Sequence, residues 1–352
     1  MPFEIRPFSA EWRPAVRDFN ARLDAAGAAA GMRLPDDPCA EMLTGSETYL
    51  AVEDGMVRGG YTLRPQPFWL LGQTRCVAHL RLPVSEGIVD RRYAMLGSLL
   101  VRSALQKEPR LFALGMGGME QRLPRMLAAM GWHLAPIPFC FRVVHAGRFL
   151  RGMRAARPTP LRRGLMDLAA VSGIASIGIH AVQTCRTRRA APVRFQEVAD
   201  FDGFTDAVWE GAHRSYNMVA VRNSEALRRL YPPSNTRFLR IQTTAGWAVL
   251  LDTAMRGDQY FGDLRVGTIV DCLAKPEDAA AVIHAARAFL VERGVDLIIS
   301  NQGHSAWTKA LGADGFFQAP SNFLFARSPE ICALGASEWH INRGDGDGPV
   351  HL

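Results

Sequence analysis

Apolar positions along this chain switch repeatedly between a period of two and a period of about 3.6, which predicts strands alternating with helices. Residues 4–8 alternate and predict a first strand, with Ser9 capping a helix over 10–26 that ends in the glycines from Gly27 to Gly31. Residues 48–61 alternate on both sides of Asp54-Gly55, the mark of a hairpin with a two-residue turn. The apolar run from Val77 to Val84 predicts a strand whose regular pairing Pro83 limits. After a polar turn, Leu96, Leu99, Leu100 and Ala104 fall on one side of a helix. A short buried strand over 111–114 then runs into Gly115-Met116-Gly117-Gly118, a helix over 121–130 stops at Gly131, and 137–144 predicts the strand that closes the first half.

The second half repeats the plan. Strands at 193–198, 238–251 (a pair), 266–273, 297–300 and 321–326 are interleaved with helices at 201–213, 279–292 and 305–311. One constant offset lays Gly131-Trp132 over Gly315-Phe316, Pro136 over Pro320, Phe139 over Phe323 and Phe141 over Phe325. Matches this dense, each following a short helix, point to a duplicated unit.

Composition narrows the class. A chain of 352 residues, 48% apolar, is globular and long enough for two domains. Six cysteines without a CxxC pair favour reduced thiols over a disulfide frame or a zinc site, and the start MPFEIRPFSAEW has no secretory pattern, so a cytoplasmic location is expected. The formal charge of +7 is local: residues 148–190 hold nine arginines and one acid, Asp167, and account for all of the excess. No basic stripe with interleaved aromatics occurs elsewhere, so no nucleic-acid partner is expected.

The chemistry gathers at the strand–turn–helix of residues 77–105. The first N–H groups of a helix lack partners within it and the helix dipole favours negative charge there, so a helix start beside Arg91 and Arg92 is an anion-binding device. Arg92-Tyr93-Ala94-Met95-Leu96-Gly97 resembles the R/Q-x-x-G-x-G/A pyrophosphate loop of the GNAT acyltransferase superfamily, with Met95 in place of the middle glycine. The helix ending in Gly-aromatic before a strand with alternating Phe resembles the GNAT C-terminal signature, and it occurs twice. The order of elements over 3–145 and 193–327 looks like the tandem GNAT and Fem-type transferases.

The resemblance implies an α/β fold of tandem GNAT-like domains, each a mixed, centrally splayed β-sheet flanked by helices. It implies acyl-CoA as co-substrate, with backbone groups of Leu82 and Val84 on the pantetheine and Arg91, Arg92, Ala94, Gly97 and Ser98 on the pyrophosphate. The second copy has Lys275-Pro276-Glu277-Asp278 at the matching place, where the acids would repel a phosphate, so one cofactor site is expected, in the first copy. Attack by an amine on the thioester needs orientation and a route for the amine proton. Three residues are candidates for that proton: Glu86 just past the strand, His304 after the strand at 297–300, and Asp271 inside an apolar run, where a carboxylate is either functional or paired with an arginine. No metal is expected.

The expected domains are 1–147 with the phosphate loop, a basic and apolar linker at 148–191, 192–330 without the loop, and a Gly/Asp-rich tail at 331–352, either free or folded back into the cleft. The apolar stretch 165–183 between arginine clusters fits an anionic membrane surface or an inter-domain linker. The first alternative makes the acceptor amine part of a lipid or lipid-linked sugar, such as a sphingoid base or an envelope amino sugar. A non-catalytic acyl-CoA-binding protein and a Fem-type aminoacyl-tRNA-dependent transferase are the competing expectations.

Overall fold

The computed structural model describes residues 3–29, 32–37, 45–156, 174–187, 193–335 and 338–347. The strands in chain order are β1 (Glu4–Pro7), β2 (Glu47–Glu53), β3 (Met56–Leu70), β4 (Gln73–Ser85), β5 (Leu111–Leu114), β6 (His133–Pro136), β7 (Phe139–Val143), β8 (Phe195–Glu197), β9 (Met218–Ala220), β10 (Leu239–Thr243), β11 (Gly246–Ala254), β12 (Arg265–Ala274), β13 (Leu297–Asn301), β14 (Phe317–Ala319), β15 (Leu324–Arg327) and β16 (Trp339–His340). The helices are α1 (Arg13–Ala25), α2 (Leu96–Lys107), α3 (Arg122–Ala129), α4 (Ala146–Gly152), α5 (Ile174–Arg186), α6 (Gly203–Ala212), α7 (Ser224–Leu230), α8 (Ala279–Glu292) and α9 (Ser305–Ala313). Contacts divide the chain into two units. The first is Met1–Phe68, Thr74–Ala135 and Leu324–Ala333, and the second is Trp69–Gln73, Pro136–Phe323 and Leu334–Leu352.

In the first unit the sheet order is β1-β2-β3-β4-β5-β15-β6. Side chains alternate across a strand, and β2 shows the consequence. Leu50 and Val52 join Val16, Phe19 and Leu23 of α1, while Ala51 joins Leu96, Leu100, Val101 and Ala104 of α2 and Leu127 of α3. Helices therefore cover both faces of this sheet. Asp54 and Gly55 both take positive φ (49° and 75°), the two-residue hairpin turn that their sequence predicts. The first helix begins later than predicted. Ser9 precedes a short 3-10 turn (Ala10–Trp12), and α1 starts at Arg13 with Pro14 in its first turn, where a missing N–H costs nothing.

In the second unit the order is β8-β10-β11-β12-β13-β7-β14. Val282, Ile283, Ala286 and Leu290 of α8 pack with Trp247, Leu250, Ile269, Val270 and Leu273 in one cluster. Val143, Val266, Leu297 and Ile299 form a separate one with Leu264 and Ala146.

The closing strands are exchanged between the halves. The strand expected to close the first half, β7, pairs antiparallel with β13 and β14 in the second sheet. Its repeat partner β15 pairs with β5 in the first. Pro136 ends β6 and Pro138 directly precedes β7, and their fixed φ disfavours a tight hairpin between the two strands. Ile137 N donates to Phe323 O (3.0 Å), so the two connections hydrogen-bond to each other. Beyond β14's pairing, the Gln183 amide of α5 takes over the edge of β7, donating to Val143 O (3.0 Å) and accepting from Val143 N (3.2 Å).

Residues 157–173 and 188–192, with Arg162, Arg163, Arg188 and Arg189, lie outside the described residues. Among the described residues no helix is long and apolar enough to cross a membrane.

Candidate functional site

The pairs β4/β5 and β12/β13, central in their sheets, are parallel, and each forks. In the first unit β4 and β5 pair at Ala78↔Leu111 and His79↔Phe112, while β4 runs on through Pro83 to Ser85 and β5 stops at Leu114. Leu82 and Val84 lie on that diverging stretch of β4. At the end of β5, Gly115, Gly117 and Gly118 take positive φ (78°, 83° and 113°), conformations that suit glycine alone.

The loop from β4 to α2 is made of two short 3-10 turns, Glu86–Ile88 and Arg91–Tyr93. Asp90 caps the second turn, its Oδ1 accepting from Arg92 N (2.9 Å), while Arg92 Nε and Nη2 donate to Asp90 Oδ2 (2.9 and 2.6 Å). These side-chain and backbone hydrogen bonds from Arg92 hold the Asp90 carboxyl below its ordinary range. Arg91, Arg92 and Ala94 are exposed, and Met95 is 71% exposed. Ser98 Oγ donates to Met95 O (2.7 Å). A Cβ on Gly97 would meet only ordinary contacts, Met126 Sδ at 3.5 Å and Ser85 Oγ at 3.8 Å, so the protein's own packing does not demand glycine there. A third guanidinium reaches the loop: Arg122 Nη1 donates to Ile88 O (3.2 Å). Nothing in the sequence separates Arg122 from an ordinary solvated helix residue.

Glu86 is buried at the head of this loop with both oxygens engaged. Arg22 Nε donates to Oε1 and Arg58 Nη1 to Oε2, each at 2.9 Å.

In the second unit β12 and β13 pair from Val266↔Leu297 to Ile269↔Ser300 and then part. The chain's own tail is bonded to both strands beyond that point. Gly303 N donates to Ile341 O (2.7 Å), Gln302 and Asn342 form an antiparallel bridge, and Asn342 Nδ2 donates to Asp271 Oδ1 (2.9 Å). Asp271, fully buried on β12, also accepts at Oδ2 from Arg222 Nε and Tyr231 Oη, both at 2.7 Å. The second arm of Arg222 pairs with Asp345. Burial raises the Asp345 carboxyl above its ordinary range, against the pull of Arg222. Asn342 and Asp345 form a capping box around a short turn over Arg343–Asp345. A Cβ on Gly344 would overlap Tyr231 Oη and Asp271 Oδ2, so only glycine fits there. Ala274 O, farther along β12, accepts from Tyr216 Oη (2.7 Å).

His304 is the N-cap of α9, its Nδ1 accepting from Ala306 N (3.2 Å), so the neutral ring carries its proton on Nε2. Burial lowers its pKa. Its ring meets Tyr216 edge-on at 5.0 Å, and Tyr216 meets His340 in the same way at 4.8 Å. Burial pushes His340 down to about 3. Asn301, beside His304 in the sequence, accepts from Arg343 Nη1 (2.8 Å).

Of the three candidates for the amine proton, Glu86 belongs to the first unit and Asp271 and His304 to the second. Among the described residues no three His, Cys, Asp or Glu side chains are grouped to hold a metal.

No protein-family model matches this chain, and no curated protein matches its sequence. Solved structures do match. A conserved protein of Enterococcus faecalis described as a "Probable N-Acyltransferase" is 10% identical, with a TM-score of 0.54, over 94% of this chain and 73% of its own. The N-myristoyltransferase of Saccharomyces cerevisiae with bound myristoyl-CoA is 10% identical, with a TM-score of 0.54, over 93% and 84%. A GCN5-related N-acetyltransferase of Anabaena variabilis is 11% identical, with a TM-score of 0.54, over 94% and 74%. The chain has the tandem GNAT-type N-acyltransferase fold that its sequence resembles.

Proposed function

We propose that this chain is an acyl-CoA-dependent N-acyltransferase that binds one CoA in the β4/β5 fork of the first unit. The fork beside a basic loop and a helix start carries the reading. An extended pantetheine would pair with the backbone at Leu82 and Val84, beyond the last β4–β5 pair. The pyrophosphate would sit at the first turn of α2, over Ala94, Gly97 and Ser98, against Arg91 and Arg92.

The nitrogen of the acceptor attacks the thioester carbonyl, the C–N bond forms, and the thiolate of CoA leaves. Glu86 and Asp271, tied into ion pairs, serve as anchors in this proposal, and His304 serves as a cap. The amine then reacts as its free base and its proton passes to solvent. The acceptor is proposed to be the amine of a membrane-associated molecule, a sphingoid base or a lipid-linked amino sugar. Helix α5 supports this, exposing Ile177 (72%) and Val182 (45%) in the arginine-rich segment.

Calorimetry with CoA tests binding, and release of free thiol from long- and short-chain acyl-CoA with a panel of amines tests turnover. Flotation with anionic vesicles, with and without Gln at Arg162, Arg163, Arg186, Arg188 and Arg189, tests the acceptor. Binding without turnover would favour a non-catalytic acyl-CoA carrier, a reading that the exposed Met95 in the phosphate loop supports.

A further inference from the structure

Arg58 lies on β3, outside every motif of the phosphate loop, yet its guanidinium touches both ends of that loop. Nη1 donates to Glu86 at the loop's start (2.9 Å), and the guanidinium lies 5.0 Å from the ring centre of Tyr93 at its end. Glu53 closes the circuit, 3.3 Å from Arg58 Nε and accepting from Tyr93 Oη at 2.9 Å. Arg22 braces the other oxygen of Glu86 and donates to Val57 O (2.6 Å). Between the fastened ends the loop doubles back on itself: Asp90 N donates to Glu86 O (2.8 Å), and a Cβ on Gly87 would overlap Tyr93 O. The far side of the device is Arg92, which also lies over the Tyr93 ring, at 5.6 Å.

We propose that Arg58 is a positioning residue for CoA: by clamping Glu86 and Tyr93 it fixes the loop that presents Arg91, Arg92 and the first turn of α2 to the pyrophosphate. The inference rests on the reading of the β4/β5 fork as the CoA site. A planar guanidinium is needed because one group must meet two carboxylates and an aromatic face at once, which the point charge of lysine cannot do. The side chain is 13% exposed, so its role is not that of a surface charge.

Acyl-pantetheine, which keeps the arm and the acyl group but lacks the pyrophosphate, separates this role from a general one. In Arg58→Gln the Kd for CoA rises at least tenfold while the Kd for acyl-pantetheine changes less than twofold. In turnover, KM for acyl-CoA rises and kcat stays within about threefold. Arg58→Lys falls between the two. Should Arg58→Gln not fold, Tyr93→Phe, which removes only the bond to Glu53, carries the same comparison with a smaller shift. Unchanged CoA affinity in a folded variant, or equal weakening of both ligands, overturns the clamp. A wild-type chain that binds no CoA overturns the reading of the fork itself.

Discussion

The two central parallel strand pairs both fork and fill the fork differently. In the first unit, β4 leaves β5 after His79↔Phe112 beside a basic loop. In the second, β12 leaves β13 after Ile269↔Ser300, and Ile341, Asn342 and Gly344 of the tail take up the edges that open. The helix start beyond the second fork carries Glu277 and Asp278 in place of arginines. A separated strand pair exposes backbone groups that need partners. The chain therefore holds two such slots, and we read one as satisfied by a ligand where the other is satisfied by the chain itself.

The buried tail cluster offers the largest way to break this contrast. Arg222→Ala leaves Asp271 and Asp345 buried without their cation, which costs about 3–5 kcal/mol. A thermal melt should show this as a large drop in the second unit's transition. If the two sites are separate, CoA affinity at low temperature stays as in the wild type.

Acid acts on the same tail through His340. The imidazole takes up its proton near pH 6.5 when unfolded and near about 3 when folded, so its folded pKa is depressed. Its contribution to stability is present above pH 6.5 and is lost as pH falls below that value, by about 1.4 kcal/mol per pH unit. Between pH 7 and 4.5 the wild type should lose about 2–3 kcal/mol more than His340→Phe, measured by denaturant unfolding. Equal pH slopes would remove His340 from the account.

At the first fork, Arg92→Ala should weaken CoA binding by about tenfold or more in calorimetry, while Lys275→Ala at the matching place should change nothing. A smaller effect of opposite sign is expected from Asp90→Asn, which frees Arg92 from its present partner. The pair is exposed and weak, so CoA should bind up to about threefold more tightly.

Much of this contrast is legible in the sequence, because hydrophobic period and turn chemistry are local. The splayed strands are implied by the family resemblance, whereas the basic turn before α2, the missing second loop and the duplicated Gly-aromatic endings all follow from short stretches. The exchange of β7 and β15 does not. Both strands carry the same alternating phenylalanines, so the local pattern does not say which sheet takes which strand. The length of β3 was hidden by Pro65 and Pro67, which argue against a strand, yet Arg64, Gln66 and Phe68 between and beside them are buried. Arg22 and Arg58 look like surface charges because Glu86 lies 64 and 28 residues away. The tail reads as a polar, glycine-rich end, and its burial depends on Arg222 and Asp271, which only the fold brings together. Asp271, an ionisable group in an apolar strand, is paired with Arg222.

The central claim is one open fork and one closed by the chain itself, and the stoichiometry of CoA binding tests it most directly. Titration calorimetry on the intact chain should give one CoA per chain, with binding lost when Arg91 and Arg92 are both replaced by Ala and kept when Lys275 is. Two CoA per chain, or binding that survives the double replacement, would contradict it.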